Sequence, residues 1–276
     1  MGTSKSLPLY PDKKHLQAWG LTPKKSLGQN FLLKPSVVTR MVHPLEDATL
    51  PIIEVGPGPG ALTWALLTET TNKITSIEKD SQFQGILTHL QSFDPARFSL
   101  IQEDFFRVPL PQQDFYAVGN LPYNISTQII FHFLAHKHPP KKMIFMVQKE
   151  VADRLTATPH TKSYGRLSVM TQWCCHISQL FDVPPDAFWP APKITSTVVM
   201  IAPHITEKHR ALWSSLEYLL KGVFSQRRKM LRQSLKTVIK DPTDLLAETH
   251  IDPQARAENL SLQDFERLAT ALQKPL

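Results

Sequence analysis

The sequence predicts an α/β fold, a doubly wound parallel sheet followed by a small all-helical domain. Three observations predict it. Between about residue 50 and residue 202, short apolar runs alternate with stretches of helix length. After Pro203 the helical periodicity continues without a convincing strand. A glycine-rich segment, residues 54–60, joins the first apolar run to the first helical stretch. Strands separated by helix-length segments imply parallel neighbours joined by right-handed crossovers.

In chain order, residues 1–27 form a basic arm. They hold lysines, serines and a single acid, Asp12, but no arginine and no clear amphipathic stripe, so a flexible arm is expected rather than a targeting segment. Residues 28–204 are expected to form the sheet domain. Apolar spacing places strands at 52–55, 74–78, 98–102, 115–119, 143–148, 177–183 and 197–201, and helices at 61–69, 81–91 and 126–136. Residues 205–276 form the helical domain. Leu212, Leu216, Leu219, Leu220 and Val223 recur on one helix face, and Pro242 and Pro253 mark turns between short helices.

Composition narrows the function. Apolar residues make up 42% and charged residues 20% of the 276, enough to bury a core. No apolar run approaches the roughly 18 residues of a membrane span, and the start lacks the apolar stretch of a secretory signal. The two cysteines, Cys174 and Cys175, are adjacent, which excludes a disulfide framework and a zinc site of several thiolates. The 11 histidines show no ligand spacing, although His136 and His138 are close, so no metal is expected. A cytoplasmic protein is expected, and a monomer, since no apolar patch or coiled-coil seam marks a partner surface.

The net charge of +7 is concentrated. Residues 1–40 carry +6, residues 221–240 carry +7 with no acid at all, and the remaining body is therefore acidic by 6 charges. Two basic segments on an acidic body suit a directed polyanion surface, with nucleic acid as the expected partner.

The segment from Glu54 to Gly60 reads Glu-Val-Gly-Pro-Gly-Pro-Gly. Glycine lets the backbone turn tightly and approach a ligand where a Cβ would clash. The spacing is not that of a pyrophosphate-binding turn, and Pro57 and Pro59 remove two N–H donors that a phosphate cradle would use. Glu78 ends the second strand, where a carboxylate accepts from ribose hydroxyls, and Asp104 follows the third, suitably placed for an exocyclic adenine amine. Three such features at successive strand ends point to an adenosine-bearing cofactor.

Asn120-Leu-Pro-Tyr123 follows the fourth strand. An exocyclic aromatic amine is a poor nucleophile because its lone pair is delocalised into the ring. Accepting its hydrogens, through the Asn120 side-chain oxygen and the Leu121 carbonyl, would localise that pair. Pro122 fixes the turn and Tyr123 offers a stacking face. Taken without the rest of the chain, the same four residues also suit an ordinary Asn-initiated turn with a core tyrosine.

The ordered set of motifs resembles the small-subunit (16S) rRNA adenine N6,N6-dimethyltransferase family. It comprises Gly28-Gln-Asn-Phe-Leu32, the segment 54–63, Ile77-Glu-Lys-Asp80, Gln102-Glu-Asp104, Asn120-Leu-Pro-Tyr-Asn-Ile-Ser126 and Gln148-Lys-Glu-Val-Ala-Asp-Arg-Leu155. It continues with Tyr164-Gly-Arg-Leu-Ser-Val169, Val183-Pro-Pro-Asp-Ala-Phe188, Pro190-Ala-Pro-Lys193, Phe224-Ser-Gln-Arg-Arg-Lys229 and Arg256-Ala-Glu-Asn-Leu260. The resemblance implies a Rossmann-like class I methyltransferase sheet using S-adenosyl-L-methionine. It implies dimethylation of two adjacent adenosines in the 3′-terminal hairpin of small-subunit rRNA, within a small ribosomal subunit or its precursor.

Carried over by motif, Asn30 and Leu32 cover the cofactor, Gly56 lies beneath its methionine portion, Glu78 takes the ribose and Asp104 the adenine amine. Asn120 lies where cofactor and target base meet, with Leu121 and Tyr123 beside it. Phe188 is either the second aromatic face around the target adenine or a core phenylalanine. Lys221, Arg227, Arg228, Lys229 and Arg232 would grip rRNA phosphates, and Lys141, Lys142 and Lys149 either extend that track or are a solvated face. Two alternatives remain: a large-subunit rRNA adenine methyltransferase, and a nucleic-acid-binding assembly factor on the same fold.

Overall fold

The computed structural model describes residues 10–24, 28–45 and 49–273. Strands are numbered in chain order: β1 Phe31–Leu32, β2 Ile52–Val55, β3 Ile74–Glu78, β4 Phe98–Gln102, β5 Tyr116–Asn120, β6 Lys142–Gln148, β7 Cys175–Val183, β8 Phe188–Trp189 and β9 Ser196–Pro203. The larger sheet has 7 strands in the order β4-β3-β2-β5-β6-β9-β7. β2 pairs in parallel with β3 and β5, β3 with β4, and β5 with β6. This is the order of a doubly wound α/β sheet, with its reversal between β2 and β5.

The central strands are buried on both faces. All of β2 is buried, as are Tyr116 to Gly119 of β5 and Met143 to Val147 of β6, whereas in edge strand β4 only Phe98 is buried. Continuous apolar runs are what a two-faced parallel sheet requires. The helix Ala61–Glu69 buries Ala61, Leu62, Ala65 and Leu66, and Ser126–Ala135 buries Ile129, Ile130, Phe133 and Leu134.

One expectation of the pattern is corrected at β9, which runs antiparallel to β6 with Phe145 opposite Val199. The parallel inference requires a helical crossover. β9 is instead reached through residues 184–195, where Pro184, Pro185, Pro190 and Pro192 leave only a single 3₁₀ turn, Pro185–Ala187, and the short strand β8. β8 pairs antiparallel with β1 in a separate two-stranded sheet, which no two-residue run announces in sequence.

The basic arm is corrected in part. Residues 1–9 and 25–27, including Lys5 and Lys25, lie outside the described residues. Within 10–24, Asp12 caps a helix, Lys13–Ala18, by accepting from the His15 N–H at 2.9 Å. Leu16 and Leu21 are buried in the main core cluster, and the Tyr10 hydroxyl donates to the Leu32 carbonyl at 3.1 Å. A six-residue helix with one buried leucine has no periodicity to read.

The described chain forms two compact units, and the second takes up Glu150–Ile177 as well as the residues from Pro203 onward. A boundary near 205 separates strand-bearing from helical sequence, but packing groups the chain differently. In the second unit the Tyr164 ring is fully buried, with its hydroxyl donating to the Leu260 carbonyl at 3.0 Å, and Trp173 Nε1 donates to Glu266 Oε2 at 2.7 Å. The helix Glu207–Ser225, capped by Thr206, buries Leu212, Leu216, Leu219, Leu220 and Val223, the stripe its spacing predicts.

Candidate active site

The C-terminal ends of β2, β3 and β5, with residues 28–32, enclose a cavity of about 320 Å³, within the range of small-molecule sites. Ligands of open α/β sheets bind there because the strand order reverses and leaves a crevice.

The glycine-rich loop follows β2. Gly60 has φ of +90°, a conformation that favours glycine, and a Cβ there would lie 2.4 Å from Leu90 Cδ1, which would have to move aside. The loop's N–H groups are all engaged within the protein. Gly56 donates to the Ile77 carbonyl, Gly58 to Glu78 Oε2 and Gly60 to the Pro57 carbonyl, each at 2.9 Å. Pro57 and Pro59 have no N–H to give. The loop itself therefore offers no donor for a phosphate.

Acids dominate the lining: Glu54, Glu78, Asp80 and Asp104, against Lys79. Glu78 is 7% exposed and accepts the Asp80 N–H on Oε1 at 2.7 Å and the Gly58 N–H on Oε2 at 2.9 Å. Burial pushes its carboxyl above the ordinary glutamate value, and those two N–H bonds partly offset the shift. Asp104 caps the turn Phe105–Arg107 and accepts from Lys79 Nζ at 2.7 Å, which holds its carboxyl below the usual range. Glu54 is wholly buried, and its Oε2 accepts from Ser76 at 2.5 Å and Thr63 at 2.7 Å. Its Oε1 has no protein partner. Burial raises its carboxyl to about 7, against the opposing hydroxyl bonds from Ser76 and Thr63.

Asn120 ends β5 and donates from Nδ2 to the Asn30 carbonyl at 3.2 Å. The Leu121 N–H donates to the Met146 carbonyl at 3.1 Å, and the Ile125 N–H closes the turn onto the Pro122 carbonyl at 3.2 Å. Tyr123 is half-buried, its hydroxyl 2.7 Å from that of buried Ser196 on β9.

Asn30, Leu32, Gly56, Glu78, Asp104, Asn120, Leu121 and Tyr123 all line this one cavity. Phe188 does not. It is 4% exposed in the core cluster and faces Leu32 across the two-stranded sheet, with Leu32 in the lining position. The ring exposed among the lining residues is Phe106, 38% exposed and edge-on to His132. Sequence reasoning passed over Phe106, Asp80, Gln29 and Ser196. Asp80 stands inside a quoted motif, and its position before Ser81 and Gln82 is a capping signal that could have drawn attention to it.

In the second unit, Lys221, Arg228, Lys229 and Arg232 are exposed and carry no side-chain ion pair among the described residues. Arg227 differs. Its Nε donates to Glu258 at 2.7 Å and a terminal nitrogen donates to the Thr161 carbonyl at 3.0 Å. In the first unit, Lys141 pairs with Asp114 at 3.2 Å, Lys142 donates to the Pro44 carbonyl at 2.7 Å and Lys149 pairs with Asp182 at 3.0 Å. No group of three metal-ligating side chains occurs among the described residues, and no helix among them is long and apolar enough to cross a membrane.

Solved structures repeat this architecture. A dimethyladenosine transferase from Plasmodium falciparum superposes with a TM-score of 0.75 at 23% identity, covering 86% of this chain and 95% of that one. The 23S rRNA methyltransferase ErmE gives 0.68 at 23% identity, covering 89% and 100%. Sequence relatives are nearer. Proteins named ribosomal RNA small subunit methyltransferase A are 40% identical over 270 residues in Rhodospirillum rubrum, covering 96% of this chain and 93% of the relative, and 42% identical over 273 residues in Azorhizobium caulinodans, covering 95% and 93%. A family model described as ribosomal RNA adenine dimethylase matches residues 20–274, a span that holds both the acid-lined cavity and the basic turn. The chain belongs to the ribosomal RNA adenine dimethylase family.

Proposed function

We propose that this protein transfers methyl groups from S-adenosyl-L-methionine to N6 of two adjacent adenosines in the 3′-terminal hairpin of small-subunit (16S) rRNA, forming N6,N6-dimethyladenosine. It works in the cytoplasm as a monomer, on a small ribosomal subunit or its precursor. The observation that carries the reading is the convergence of Glu78, Asp104 and Asn120 on one cavity in a chain about 40% identical to small-subunit methyltransferases over nearly its full length.

The donor set suits this cofactor. A sulfonium and an ammonium group make it cationic at the reacting end, and the cavity is acidic, with a buried Glu54 oxygen still lacking a partner. A phosphate-bearing cofactor is disfavoured, because the loop N–H groups are already engaged. Each Glu78 oxygen accepts one N–H and retains a lone pair for a ribose hydroxyl. Asp104 retains acceptor capacity for the adenine amine, and Leu32 and Gly56 flank the same space.

S-adenosyl-L-methionine, when bound, supplies an electrophilic methyl group. The protein's part is to aim the amine. A carbonyl only accepts, so the Asn120 atom facing Asn30 is Nδ2, and Oδ1 remains to accept a hydrogen from the target N6. The Leu121 carbonyl is assigned the second acceptor role. Tyr123, fixed through Ser196, is the stacking face. Holding amine and methyl group in line supplies most of the acceleration, and no group strong enough to deprotonate the amine beforehand is required. Lys221, Arg228, Lys229 and Arg232 contact phosphates, while Arg227 holds their turn in place.

The experiment is methyl transfer to purified unmethylated small subunits, with large subunits as the parallel substrate. Label confined to small subunits supports the reading, and label in large subunits alone refutes it.

A further inference from the structure

We infer that Asp80 is a positioning residue that fastens the segment bearing Lys24, Gln29 and Asn30 beside the cofactor and, through the Asn30 carbonyl, sets the orientation of the Asn120 amide. The inference rests on the functional reading above and deepens it.

A carboxylate offers about four lone-pair directions. Asp80 is 7% exposed and uses both oxygens twice. Oδ1 accepts from Lys24 Nζ at 2.8 Å and from the Gln82 N–H at 3.1 Å. Oδ2 accepts from Gln29 Nε2 at 2.9 Å and Gln82 Nε2 at 2.6 Å. Capping the turn Ser81–Phe83 needs only the Gln82 N–H. The bonds from Lys24 and Gln29 add nothing to that cap. They tie the segment ahead of β1 to the end of β3, two residues after Glu78.

Gln29 completes the tie. Its Oε1 accepts the Lys24 N–H at 2.8 Å and Gln82 Nε2 at 3.3 Å. Both Gln29 and Asp80 line the cavity. The next residue along the chain is Asn30, whose carbonyl takes the Asn120 amide. If the residues ahead of β1 shift, the Asn30 carbonyl no longer holds that amide. It is then free to turn its NH2 towards the incoming amine, which presents donor to donor. One carboxylate therefore couples retention of the cofactor to correct presentation of the Asn120 oxygen.

The test uses Lys24→Met, Gln29→Leu and the two combined, which loosen the segment and leave the Gln82 cap of Asp80 intact. Lys34→Met, on the exposed Lys34–Asp186 pair, serves as control. S-adenosyl-L-methionine binding is measured by calorimetry, and turnover on unmethylated small subunits at saturating cofactor. Loss of a charge-assisted bond predicts, for the combined variant, about a tenfold higher Kd for the cofactor and about a tenfold lower kcat. KM for subunits stays unchanged, Lys24→Arg restores most of both losses, and the control matches wild type. A rise in Kd with an unchanged kcat overturns the relay to Asn120. A combined variant equal to a working wild type overturns the role of Asp80 alone. A wild type that neither binds the cofactor nor transfers methyl groups overturns the functional reading, and this inference with it.

Discussion

Asn120 and Asn30, 90 residues apart in sequence, meet through a single bond from side-chain amide to backbone carbonyl at 3.2 Å. The bond engages Nδ2, and in the proposed reaction Oδ1 is the acceptor that nucleophilic activation of an aromatic amine needs. It also joins a residue of β5 to the segment carrying β1, two parts of the chain that line the same cavity.

Asn120→Ala removes the acceptor and leaves the cavity's acids in place. At saturating cofactor its kcat should fall about a hundredfold, with the KM for S-adenosyl-L-methionine altered only a few-fold. Steady-state kinetics on small subunits checks this, and an unchanged kcat would remove Asn120 from the reaction.

Glu78 holds two backbone N–H groups with its two oxygens. In Glu78→Gln one oxygen becomes an NH2 facing an N–H, so one backbone donor is left unpaired. Stability should fall by about 1–3 kcal/mol, and cofactor affinity should drop at least tenfold. Denaturant melts and calorimetry measure the two effects separately.

Buried Glu54 makes stability depend on pH. Its carboxyl is raised from an ordinary 4.5 to about 7 in the folded protein. A raised folded value means stability is fully present below the unfolded value and is lost as pH rises through the folded one. Glu54→Gln has no such loss. Its stability relative to wild type should therefore climb between pH 5 and pH 8, by up to about 3 kcal/mol. Urea melts at several pH values check this, and a difference independent of pH would contradict it.

The basic turn of the second unit should divide by salt dependence. Arg228→Ala and Lys229→Ala should each reduce the slope of log Kd for the rRNA hairpin against log salt by about one, with little change in melting temperature. Arg227→Ala should lower the melting temperature as well, because Glu258 and the Thr161 carbonyl lose their partner. Binding titrations at several salt concentrations, paired with thermal melts, separate the two classes.

Much of this was legible in the sequence where local pattern and packing agree. β2, β3 and β4 fall where their apolar runs end, and the helix Ala61–Glu69 opens directly after Gly60, because glycine both permits the turn and clears Leu90. The antiparallel β9 was not legible, since direction is set by the path of a proline-rich connection and not by the strand's own residues. Phe188 was left open by its motif; in the structure it pairs with Leu32 across β1 and β8 and is buried in the core cluster, while Leu32 lines the cavity. Asp80 escaped notice because its partners, Lys24 and Gln29, lie more than 50 residues away, and each alone reads as a solvated polar residue. Arg227 was grouped with its neighbours by charge, and its bond to Glu258, 31 residues away, was not legible because no local pattern marks it.

The central claim is tested most directly by transfer of tritiated methyl groups from S-adenosyl-L-methionine to purified, unmethylated small ribosomal subunits, alongside large subunits. The account predicts incorporation approaching two methyl groups on each of two adenosines, recovered as N6,N6-dimethyladenosine from small-subunit rRNA alone. No label in small subunits, whether it appears in large subunits or nowhere, would contradict it.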